Sequence, residues 1–292
     1  MFTTAVAIAA ILTLLPFLLE AFLPGKLAST ANTLPSSLRL LAPAILCIPY
    51  ILVAQSFGAF HWSWLTLYAL VPVAVAILMS HAQHADPEQH GNWRDFLVLF
   101  ILGLAVDLRS FERAWPAHLV VFNKMLLLDA GIYGFLAIRQ LSGAGFDLLL
   151  RWRDLRIGLR EFAFYAPIAI ALGLSIGFLH VHAAWPRLPK VAGAFLFTFF
   201  FIAAPEELFF RGWLQNLLER RIGRLRALLL TAALFGLSHW NKRALHFNWR
   251  YVLLAAIAGI FYGRAWRQDR RVGASSITHA TVDTVWSFWL RR

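Results

Sequence analysis

Glu206 and Glu207 stand side by side in Ala203-Ala204-Pro205-Glu206-Glu207-Leu208-Phe209-Phe210-Arg211, directly after the apolar run 194–202. An ionisable group at bilayer depth costs about 2.5–3.5 kcal/mol on insertion scales, so two carboxylates there mark a functional site with a nearby partner. A carboxylate withdrawn from water is a stronger base near neutral pH and suits the abstraction of a proton from water. Two adjacent carboxylates repel each other, but Arg211, one helical turn beyond Glu207, offsets that repulsion and leaves Glu206 to titrate.

Three pairs recur at the helical spacing of four: Glu207 with Arg211, Phe235 with His239, and His279 with Asp283. Each pair shares one helix face. Arg211 is expected to pair bidentately with Glu207, and Asp283 to take a ring N–H of His279 and fix its tautomer.

These residues need elements that carry them into lipid. The chain of 292 residues is 60% hydrophobic and 14% charged, against roughly 45–50% and 25% in soluble domains, which gives an all-α, polytopic transmembrane bundle. Apolar stretches near the ~20 residues that cross a bilayer run over 2–23, 38–57, 62–79, 118–138 and 162–179. A long stretch at 191–218 turns polar in its second half, and 227–240, 251–266 and 275–289 follow; 96–107 is half a span. The expectation is eight to ten spans, in two parts: residues 1–160, N-terminal helices ending in a basic amphipathic connector, and 161–292, the part that carries the chemistry.

The net charge of +12 does not point to nucleic acid, because the arginines sit in short clusters between apolar runs, as in cytoplasmic loops. Arg151, Arg153, Arg156 and Arg160 form one such cluster, Arg220, Arg221, Arg224 and Arg226 a second, and Arg264, Arg267, Arg270 and Arg271 a third. Counting crossings puts all three on one side, assigned to the cytoplasm. At 1.5 Å per residue, Glu206, His239 and His279 then lie roughly 21, 20 and 12 Å from these clusters, within a hydrocarbon core of about 30 Å. The start of the chain lacks a basic n-region, and 2–23 reads as a retained span. Cys47 is the single cysteine, so no intrachain disulfide or cysteine-rich metal site exists. His81, His84 and His90, with Asp86 and Glu88, match no metal spacing and read as a solvated loop.

The order Glu-Glu-x-x-x-Arg, Phe-x-x-x-His, His-x-x-x-Asp resembles the CPBP proteins, the prenyl-protein CAAX endopeptidase and bacteriocin-processing or immunity family of glutamic-type intramembrane proteases. The likeness lies within 162–289. It implies that Glu206 is the general base that activates water against a peptide carbonyl, and that Glu207 and Arg211 orient the site. It further implies that His239 and His279 stabilise the oxyanion or hold a metal, with Asp283 as partner of His279. Glu206, His239 and His279 would also make a zinc set with an open water position, but no His-Glu-x-x-His motif is present, and a metal-independent mechanism is favoured. The implied partner is a membrane-bound protein or peptide substrate, and the implied setting a bacterial inner membrane or a comparable one.

Two alternatives use the same residues: an ion- or proton-coupled transporter, and a non-catalytic membrane scaffold. No inverted repeat of the kind many transporters carry is visible. Gly273-Ala274-Ser275-Ser276 approaches a rhomboid Gly-x-Ser-Gly box but ends in serine, and Ser275 or Ser276 is expected to cap the following helix.

Overall fold

The apolar runs form helices throughout the computed structural model, which describes residues 3–242 and 246–291; Phe2, at the start of the first expected span, lies outside them. In chain order these are α1 (Thr4–Phe22), α2 (Lys26–Asn32), α3 (Ser36–Ser56, with a 3₁₀ stretch at Ala42–Cys47 between two α-helical parts), α4 (Trp62–Ala85), α5 (Trp93–Asp107), α6 (Ala117–Ile138), α7 (Trp152–Ser175), α8 (Leu188–Ile222), α9 (Arg224–Leu237), α10 (Trp249–Asp269) and α11 (Val272–Val285). No strand occurs among the described residues. By length and apolarity, α1, α3, α4, α6, α7 and α8 can cross a membrane. The other expected crossings are helical too, but α5, α9 and α11 have only 15, 14 and 14 residues, and α10 carries Arg250, Arg264, Arg267 and Asp269. The protein is an all-helical, polytopic integral membrane protein.

The chain divides into two compact units, Met1–Ser142 and Gly143–Arg292. The first packs around an aromatic cluster that includes Tyr50, Tyr68, Trp115 and Phe122. Trp115 Nε1 donates to Tyr68 Oη at 2.6 Å, and Tyr68 Oη donates to Asn123 Oδ1 at 3.1 Å. Such bonds keep polar tips satisfied inside an apolar core. Of the expected histidine-rich loop, His81 and His84 lie in the end of α4, which runs on to Ala85, and only Asp86, Glu88 and His90 belong to the polar turn after it. Asp86 accepts the N–H groups of His90 and Gly91 and pairs with the buried Arg139 at 2.7 Å.

Each unit has a clasp built on the tripeptide Trp-Arg-Asp. In the first, Asp95 at the third position of α5 accepts the Asn92 N–H at 2.7 Å and is gripped by Arg139 Nε at 3.0 Å. In the second, Asp154 at the third position of α7 accepts the Arg151 N–H at 2.9 Å and is gripped by Arg271 Nε at 2.9 Å. A carboxylate in the first turn satisfies an orphan donor and complements the helix dipole. The basic connector is thus the opening of a long helix, with Arg151 and Arg153 largely exposed.

The second unit is held by close helix approach, the main attraction left to helices within lipid. Gly236 of α9 meets α10 so tightly that a Cβ there would lie 2.6 Å from both Ala256 Cβ and Val252 O. Gly259 of α10 faces the Ala232 backbone of α9, and Gly158 of α7 faces Ile277 and Ala274 of α11. Gly236→Val should therefore force α9 from α10 and cost about 1–3 kcal/mol. The check is thermal unfolding in detergent beside Gly193→Ala, where a Cβ has nothing within 4 Å.

Candidate active site

α8 is not uniform. Its residues Phe199–Ala203 and Leu208–Gln215 are π-wound, and the four residues between them, Ala204–Glu207, carry both glutamates. Pro205 brings no N–H to the helical ladder, and π turns are a frequent feature of functional sites. The site assembles from α8, the C-terminal end of α9, and α10 and α11, all within the second unit.

Glu207 is fully buried, with a hydrogen bond at one oxygen and an ion-pair contact at the other, which has no hydrogen bond. Its Oε1 accepts from His279 Nδ1 at 2.9 Å, and its Oε2 lies 3.2 Å from Arg211 Nε. The expected bidentate Glu207–Arg211 fork does not form. Arg211 turns its Nη2 to the Gly259 carbonyl at 3.0 Å, and its guanidinium lies over the rings of Phe235 at 4.7 Å and Tyr262 at 5.5 Å. A backbone carbonyl and aromatic faces complete the cation's surroundings because the second carboxylate oxygen is already taken by histidine.

Glu206 behaves differently. Its side chain is 29% exposed, and its Oε2 stands 3.9 Å from His279 Nε2. Asp283 Oδ2 is 3.6 Å from the same nitrogen. The tautomer of His279 is therefore set by Glu207 at Nδ1 and not, as expected, by Asp283, which faces Nε2 from beyond hydrogen-bond distance. His239 Nδ1 donates to the carbonyl of Phe235 at 2.8 Å, one turn earlier, so its Nε2 is the nitrogen presented to the site. The Phe235 ring lies 4.9 Å from His239 and 5.6 Å from His279, and it spaces the two imidazoles. Glu206 on α8, His279 on α11 and His239 at the end of α9, the three residues expected at a common depth, thus lie around the Phe235 ring and the Glu207 carboxylate, with Arg211 and Asp283 beside them.

Among the described residues, no group of three or more His, Cys, Asp or Glu side chains is arranged to hold a metal ion. Ser275 and Ser276 do not cap α11; both lie inside it, buried, and their hydroxyls donate to the Val272 carbonyl at 3.0 and 2.8 Å.

Two aromatic residues at the site carry no motif. Tyr262 stacks on the His279 ring at 4.6 Å and 15°, and Tyr251 meets His239 edge-on at 4.7 Å. The sequence did hold a signal for Tyr262, namely glycines three residues before and one after it in an apolar helix. A cavity of ≈ 100 Å³ opens beside these rings, lined by Tyr165, Phe178, Tyr251, Trp286, His239 and Asp283 among others.

Arg211→Ala should strand the buried Glu207 charge and cost about 3–5 kcal/mol, and Arg211→Lys should recover only part of this, since lysine cannot reach both Glu207 and Gly259 with separate planar donors. Thermal unfolding read together with activity checks this: an inactive Arg211→Ala that melts with the wild type would make the residue a direct participant.

Comparison with known proteins bears on the same region. No curated protein and no solved structure matches the chain. A family model does: residues 186–285, from the start of α8 to the end of α11, match the type II CAAX prenyl endopeptidase Rce1-like family. The matched segment holds all six residues, about a third of the chain. Over that segment the chain is similar to the Rce1-like, CAAX-type membrane proteases.

Proposed function

We propose that the protein is an intramembrane endopeptidase that hydrolyses a peptide bond in a membrane-associated protein or peptide, with Glu206 as the general base. The observation that carries this reading is the division of labour between adjacent carboxylates. Glu207 is sealed and held by Arg211 and His279, whereas Glu206 is part-exposed and faces His279 Nε2 at 3.9 Å. A base needs a path for water, and Glu206, 29% exposed, is reached by solvent where Glu207 is not.

In the reaction, Glu206 takes a proton from water as the water oxygen attacks the scissile carbonyl. The Nε2 edges of His239 and His279 line the place where charge develops on the carbonyl oxygen, and protonated His279, held by Glu207 at Nδ1, donates to it. Collapse breaks the C–N bond, and the proton held by Glu206 passes to the leaving amine. Glu207 and Arg211 position His279, and Asp283 steadies its charged form through Nε2. No step is routed through a metal. The setting is a bacterial inner membrane, with the three arginine clusters on the cytoplasmic side.

Glu206→Gln keeps the shape of the side chain and removes the base, so cleavage should fall by about 10²–10⁴ while the unfolding temperature stays at that of the wild type. Cleavage near the wild-type rate would remove Glu206 from the role. A strong zinc chelator, equilibrated with the protein before assay, should leave the rate unchanged; loss of activity restored by added zinc would replace the glutamic mechanism with a metal-assisted one.

A further inference from the structure

The turn that follows α9 carries a basic side chain outside every motif discussed so far. Lys242 places its Nζ 3.8 Å from Glu206 Oε1, on the carboxylate oxygen opposite the one that faces His279. This lysine does not hang from a free loop. Its N–H donates to the His239 carbonyl at 3.2 Å, and its own carbonyl accepts from Asn248 Nδ2 at 3.1 Å. Asn248 also donates its N–H to the Trp240 carbonyl at 2.9 Å, and it caps α10 by accepting the Tyr251 N–H at 3.3 Å. The turn from His239 to Lys242 is fastened to the start of α10, and it presents histidine and lysine to Glu206 as one piece.

Charge around the site makes the placement meaningful. Glu207 is matched by Arg211, both fully buried. Glu206 and Asp283 are the part-exposed acids at the mouth, and Lys242, 34% exposed, brings a cation into contact with Glu206.

We propose that Lys242 is a further residue of the hydrolytic reaction, touching the base Glu206 and placing its ammonium where the scissile carbonyl becomes an oxyanion. The proposal rests on the endopeptidase reading. When water adds, its proton passes to Glu206, the new C–O bond forms and the carbonyl π pair moves onto oxygen. On collapse that pair returns and the C–N bond breaks. A cation beside Glu206 serves in both halves, since it holds the carboxylate in place before addition and faces the new negative charge after it. The compact ammonium, with three rotatable donors, can make that change without moving its stem.

The test uses the full chain in detergent and a prenylated peptide ending in a CAAX motif, with fluorophore and quencher on either side of the scissile bond. Lys242→Met should lower kcat by about 10²–10³, as loss of an oxyanion donor does, with KM within about twofold and an unchanged unfolding temperature. Lys242→Arg should restore most of the rate. A rise in KM alone would make Lys242 a substrate-recognition residue, faster turnover would make it a latch, and wild-type kinetics would leave it no part; each overturns the proposal. Glu206→Gln, run in parallel, separates the two readings. If it cleaves, or if the wild-type chain does not, the endopeptidase reading on this substrate falls and takes the proposal with it. If Glu206→Gln is dead and Lys242→Met behaves as wild type, the lysine assignment alone falls. A readout independent of turnover is carbodiimide coupling of Lys242 to Glu206, followed by mass spectrometry. The amide should form in the wild type and diminish in Asn248→Ala, and its absence from the wild type would overturn the placement.

Discussion

Glu207 is the residue on which the second unit turns. A buried carboxylate is tolerable only when its charge is met and its lone pairs are filled. Here one oxygen meets Arg211 from the same helix and the other meets His279 from α11. Arg211, so engaged, reaches on to the carbonyl of Gly259 in α10. Three helices are therefore joined through one carboxylate, and the glycine close to α9 also exposes the carbonyl that receives the guanidinium. The sealed position of Glu207 contrasts with that of Glu206, which is 29% exposed beside it.

Much of this was legible from residue types and periodicity. Polar residues that interrupt apolar runs at intervals of four declare a shared helix face, and basic clusters declare depth, so the meeting of Glu206 with His279 could be anticipated from spacing and helical rise. The Phe235 and His239 pair was legible only in part. Its spacing was plain, but the bond from His239 goes to the backbone carbonyl of Phe235, and no property of a phenylalanine side chain announces that. The choice of partner for His279 was likewise hidden. Asp283 is nearer in sequence, yet Glu207 wins because it is sealed from water, where a hydrogen bond to charge is worth more.

The expected eight to ten spans exceed the six helices that length and apolarity alone pick out, for a different reason. Hydropathy registers how readily a helix dissolves in lipid, whereas α9, α10 and α11 are helices that face one another and the site. They can be short, or can carry arginines at their ends, and still form, because neighbouring helices supply the surroundings. Lys242 lay beyond sequence reasoning altogether. It is one lysine in a short turn, and its position depends on Asn248 bonding back across that turn.

The π-wound stretches on either side of Ala204–Glu207 make the phase of the site a matter of counting. An α-helix advances about 100° per residue, and each widened stretch takes up residues without advancing the helix face in the usual step. The first stretch and the helix before it pack against α11. With one residue fewer between Phe199 and Ala203, the stretch can close into ordinary winding and still keep both glutamates on the face that meets His279, because a widened turn holds about one residue more than an α turn for nearly the same rotation. Exchanging one phenylalanine for another apolar residue preserves the phase, and so does removing the one residue that the widened stretch takes up, whereas removing a residue from the α-wound part of the helix before it turns both glutamates by about 100°.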